Sequence, residues 1–107
     1  MKIQLVHRHY DEKHLTEVIE EMKKLGTPKI KAIWCAELDA WLALEGCHRL
    51  RAAFTLGLTP IIEDVSETYC DVELEVIRNA YNEPITAEEL YEELRWNING
   101  TILIFRE

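Results

Sequence analysis

Trp41-Leu42-Ala43-Leu44-Glu45-Gly46-Cys47-His48-Arg49-Leu50-Arg51-Ala52-Ala53-Phe54-Thr55-Leu56-Gly57-Leu58 is the stretch that decides the fold. Its first four residues are an apolar run of strand length, which Glu45-Gly46 breaks. Leu50, Ala53 and Phe54 then recur at spacings of three and four, the period of a helix with one buried face. Gly57 stops that helix, so the spacing predicts a helix over 47–56. The whole reads as strand, glycine turn, helix. A helix start leaves backbone N–H groups without intrahelical partners, and its dipole is positive there. Such a point attracts anions, phosphate above all. Arg49 adds a cationic fork, and the same field favours the thiolate of Cys47.

On the N-terminal side, Ala40 to Leu44 and Ile30 to Cys35 read as two strands, with Ala36 to Asp39 as the hairpin between them. Asp11 is placed to cap a helix that buries Leu15, Val18, Ile19, Met22 and Leu25. Gly26 supplies its left-handed stop, and Pro28 follows. Lys2 to Val6 alternates as an edge strand. On the C-terminal side, Pro60 to Val65 is a short apolar strand. The last third reads as a separate layer. Val72 to Val76 alternates as a strand, although 71–80 also fits a helix. Thr86-Ala87-Glu88-Glu89 is a capping box. It opens a helix that buries Leu90, Tyr91, Leu94 and Ile98, with the acids of 88–93 on its solvated face. Asn99-Gly100 ends it, and Thr101 to Phe105 closes the chain as a strand.

Composition bounds the possibilities. A chain of 107 residues, 48% hydrophobic, is one domain with enough apolar surface for a core. The net charge of −8 argues against a duplex-DNA surface, which is normally basic over its contact face. No apolar run approaches a membrane span, and no secretory signal is visible. Cysteines at 35, 47 and 70 are an odd number and fit a reducing cytoplasm better than a disulfide framework.

Gly46-Cys47-His48-Arg49 resembles the active-site motif of the sulfiredoxins. Gly46, Arg49-Leu50-Arg51-Ala52-Ala53 and Gly57-Leu58 resemble the second nucleotide-contacting box of the ParB partition proteins. These two families share one fold. The resemblance implies a ParB/sulfiredoxin-like α/β (α+β) domain, a small mixed β-sheet with helices packed on it. It is clear over residues 38–65, faint over 1–37 and absent beyond about 70. The domain would then have a core over 1–66 and a helix-strand extension over 71–107. The resemblance further implies ATP and Mg2+, a nucleotide cradle of Gly46, Cys47, His48 and Arg49, and chemistry by Cys47 and His48. Where sulfiredoxins carry a Pro- and Arg-rich stretch, this chain has Leu5-Val6-His7-Arg8-His9-Tyr10, with one arginine and no proline. Arg8, with His7 and His9, is then expected to line the same pocket and touch phosphate.

Three functions stay open. The first is an ATP-dependent sulfinic acid reductase, in which Cys47 attacks a phosphoryl-activated sulfinyl group on a protein substrate. The second is another phosphoryl-transfer or nucleotide-hydrolysing enzyme, a small-molecule kinase or ParB-like nuclease, with Glu45 or a histidine as base. The third is a non-catalytic, nucleotide-regulated protein-binding module in which Cys47 is a small structural residue. No metal site is expected, because His7-x-His9 with His14 has no cysteine or carboxylate at matching spacing. Cys35 reads as core, Glu45 as a solvated turn residue, and Trp34 and Trp41 as packing residues rather than a base-stacking platform.

Overall fold

A computed structural model describes residues 1–5, 10–36, 38–67, 89, 92 and 101–106. Among the described residues five strands and two whole helices follow in the order β1 (Lys2–Gln4), α1 (Glu12–Leu25), β2 (Lys29–Cys35), β3 (Ala40–Ala43), α2 (Cys47–Leu56), β4 (Ile61–Asp64) and β5 (Ile102–Ile104). The strands form one mixed sheet in the order β4-β2-β3-β1-β5. β1 runs parallel to β3, and β4 runs parallel to β2. β2 and β3 form the antiparallel hairpin, turning through 36–39, where Asp39 takes a positive φ of 50°. The expected α+β class, with a small mixed sheet and helices packed on it, is the fold observed.

The pleat explains the core. Ile3, Leu5, Ile30 and Ala43 point to one face and meet Met22 of α1 and Leu50, Ala52 and Ala53 of α2 in a single cluster that also takes in Phe105. The other face carries Gln4, Ile33, Cys35, Ala40 and Leu42, which are buried as well. The central strands therefore bury side chains on both faces, while the edges β4 and β5 expose Ile61, Ile102 and Ile104. Cys35 lies in the core, as expected.

Five sequence expectations need correction. β1 is not an edge strand, because β5 pairs antiparallel with its free side. That pairing also joins the end of the chain to the central sheet instead of setting it in a separate layer. Leu25 is 83% exposed, and Met22 is the buried residue of α1. Phe54 is 51% exposed. The buried arc of α2 is turned toward Ala52, which leaves Phe54 at its margin, edge-to-face on Phe105. Gly26 has the positive φ expected of a stop, but its ψ of −155° is outside the left-handed helical region. The strand or helix over 71–80, the helix after Thr86 with Leu90, Tyr91, Leu94 and Ile98, and Cys70 lie outside the described residues. Glu89 and Glu92 are helical and exposed.

Candidate functional site

β1 and β3 are parallel neighbours, and each is followed by a helix. Both helices therefore begin beyond the same end of the sheet. The second crossing is abrupt: β3 ends at Ala43 and α2 begins at Cys47. Gly46 is the N-cap of α2, with φ 76° and ψ 32°, a left-handed conformation that suits glycine. It has a second reason to be glycine. A Cβ there would stand 2.6 Å from Cδ1 of Ile30, a fully buried side chain. The sequence suggested that Gly46 admits a phosphate; internal packing already requires it.

Cys47, His48 and Arg49 occupy the first turn of α2, as the sequence spacing predicted. Gly46 has no side chain with which to cap this helix, and the first turn holds no acid. Its dipole is thus left uncompensated by any neighbouring carboxylate of that turn. Cys47 is a half-buried thiol that leans on the core cluster. His48 Nε2 accepts a hydrogen bond of 3.0 Å from the backbone N–H of Asp11, the N-cap of α1. Accepting at Nε2 requires its lone pair, so the ring is neutral there and carries its proton on Nδ1. His14, in the first turn of α1, sets its ring 4.5 Å from that of His48, edge to face. The starts of two helices are thereby tied together through one imidazole.

The arginines are placed differently from each other. Arg49 folds back over Gly46: Nη2 is 3.3 Å from Glu45 Oε1, and Nη1 donates to the carbonyl of Lys29 at 3.3 Å. Glu45 is a partly solvated turn residue, as expected, and is also the counter-charge of Arg49. In this arrangement Arg49 braces the turn against β2. Arg51 holds its guanidinium 4.5 Å from the centre of the Tyr10 ring, a cation–π distance. Arg8, His7 and His9 lie outside the described residues.

Sequence reasoning brought Gly46, Cys47, His48 and Arg49 together because they are consecutive. It missed Tyr10, Asp11 and His14 as their neighbours. Asp11 and His48 are 37 positions apart, and only the parallel pairing of β1 with β3 brings them together. Trp34 and Trp41 do pack on each other, with ring centres 5.2 Å apart and planes at 68°, but at the opposite end of β3 from Gly46. Among the described residues no group of three or more His, Cys, Asp or Glu is arranged to hold a metal ion. No helix among them is long and apolar enough to cross a membrane. No protein-family model, curated protein or solved structure matches this chain.

Proposed function

We propose that the start of α2 binds the phosphate groups of a nucleotide, with ATP as the expected ligand, and that Cys47 acts there as a thiol nucleophile in a ParB/sulfiredoxin-like reaction. The observation that carries this reading is the left-handed Gly46 turn opening a helix with no acid in its first turn, whose His48 is bound to the start of α1. The positive field there comes from the start of α2, since the Asp11 carboxylate and Glu12 offset that of α1, and a phosphate is the ligand such a field favours. Arg51 lies in the second turn of the same helix and adds positive charge. Mg2+, in this reading, arrives bound to the phosphates and takes few protein ligands. Sulfinate reduction, in which Cys47 displaces phosphate from the activated sulfinyl group and an added thiol reduces the resulting thiosulfinate, is supported by the position of Cys47 in the first helical turn, where the helix dipole favours a thiolate.

The test is a thermal-shift titration with ATP, ADP, CTP and GTP, each with and without magnesium. A ligand that binds only the folded chain raises its melting temperature in proportion to RT ln(1 + [L]/Kd). The expected result is a concentration-dependent rise with ATP. Cys47→Ser should keep that rise and lose ATP-dependent repair of a sulfinylated protein. No rise with any of the four nucleotides defeats the phosphate reading. A rise with no thiol-dependent repair leaves nucleotide binding and removes the reductase.

A further inference from the structure

The ends of β2 and β4 and the start of β3 meet in a groove of about 700 Å³ lined by Trp34, Trp41, Asp64, Ser66 and Glu67. It lies at the far end of the sheet from Gly46. We propose that this groove is a binding site for an alkylated ammonium cation, such as a trimethylammonium group.

Three features converge on that chemistry. The first is the tryptophan corner. The rings of Trp34 and Trp41 meet at 68°, and Trp34 keeps 41% of its surface exposed at the groove. An indole face attracts a cation within about 6 Å through its quadrupole, and methyl groups on the cation add apolar contact. The second is charge. Asp64 and Glu67 both line the groove, and among the described residues lining it none is basic. Such a wall repels phosphate and favours a cation, so this groove does not extend the site at Gly46. The third is that the carboxylate is built in rather than loose. Ser66 donates to Asp64 Oδ1 through both its hydroxyl, at 2.6 Å, and its backbone N–H, at 2.9 Å. The same hydroxyl oxygen accepts the backbone N–H of Trp34 at 2.9 Å. One serine therefore fixes the anion to the strand that carries the aromatic wall. Those hydrogen bonds also hold the Asp64 carboxyl below its ordinary range, so it stays ionised at neutral pH. A methylated cation suits this setting better than a bare ammonium, because it has less hydration to lose on entering an aromatic corner.

The probes are tetramethylammonium and an N-acetyl trimethyllysine methylamide, with neutral 3,3-dimethylbutan-1-ol as the uncharged isostere. Binding is read from the backbone and indole N–H resonances of the full chain at constant ionic strength. The expected result is saturable shifts of the Trp34 and Trp41 indole signals with a cation and binding weaker by roughly threefold to thirtyfold with the alcohol, the range of one cation–π contact. The tighter of the two cations tells a free small molecule from a modified side chain. Asp64→Asn, at an exposed position, and Trp34→Leu should each weaken binding by at least about threefold. Equal binding of the neutral isostere overturns the proposal. So does the absence of saturation by roughly 50 mM, or an undiminished affinity in a folded Asp64→Asn protein.

Discussion

The two ends of β3 carry opposite chemistry on one short strand. At its C-terminal end, Gly46 opens a helix with no acid in its first turn, and His48 binds the start of a second helix. At its N-terminal end, Trp41 joins Trp34, Asp64 and Glu67 around a groove. The positive field of the first end comes mainly from the α2 dipole, because Arg49 is already paired with Glu45 and the α1 start carries Asp11 and Glu12. The second end is negative through side chains, with Ser66 holding one of them in place. The difference teaches that a chain of net charge −8 need not be acidic at every site. Helix starts supply local positive field that composition does not count.

The comparison breaks most easily at Gly46. Gly46→Ala forces a non-glycine residue to φ 76° and drives a Cβ against Ile30 Cδ1. The left-handed strain and the overpacking together should cost about 2–4 kcal/mol in urea unfolding. Gly57→Ala is the control, because Gly57 has φ 72° but open space around it. It should cost only about 1–2 kcal/mol from the backbone strain. Ile30→Val removes the clashing methyl, so Gly46→Ala in that background should cost visibly less than in the wild-type chain. Equal costs in both backgrounds would show that the contact with Ile30 does not matter.

How much of this was legible follows from which interactions are local. The helix over 47–56 and its bounding glycines were readable, because periodicity and stop signals act within one segment. So were the cap at Asp11 and the hairpin over 36–39. Sheet order was not readable, since β5 pairs with β1 across nearly the whole chain and no local pattern encodes that partner. The site split along the same line. Gly46 to Arg49 are contiguous and were named, whereas His14 and the N–H of Asp11 reach His48 only through tertiary pairing. The role of Arg49 changed for a related reason. Its i,i+4 relation to Glu45 across the turn was in the sequence, but whether a fork points to a ligand or to its own turn is a geometric fact. The tryptophans were expected to pack, and they do; the acids that join them in a groove come from β4 and the residues after it.

A smaller effect separates the two functions of Asp11. Its Oδ1 accepts the N–H of His14 at 2.8 Å and caps α1, while its own N–H serves His48. Asp11→Ala deletes only the cap and should cost about 0.5–2 kcal/mol, whereas Asp11→Asn, a good cap itself, should cost little. Neither change removes the backbone donor. The His48 ring should therefore keep its Nδ1-protonated form, read from its nitrogen shifts, in both variants. A switch of tautomer in Asp11→Ala would show that the two helix starts are held together by the cap rather than by the backbone bond.

The smallest effect belongs to the acidic end. Hydrogen bonds from the Ser66 hydroxyl and then from its N–H lower the Asp64 carboxyl below its ordinary 3.8. The sign follows directly: a depressed native value means that the ionised form is favoured by folding. That stabilisation is fully present above the unfolded value and is lost as pH falls from about 4 through the native one. Because Asp64 is exposed, solvent screens the contribution and it stays small. The sensitive reading is the carboxyl carbon shift of Asp64 during an acid titration. Ser66→Ala should move that midpoint up toward 3.8, since it deletes the hydroxyl bond that ranks first among the causes. It should also leave the Trp34 N–H without its partner, lowering stability by about 0.5–1.5 kcal/mol at neutral pH. A midpoint that does not move would mean that the backbone N–H alone holds Asp64, and the serine hydroxyl would then matter to Trp34 but not to the charge of the groove.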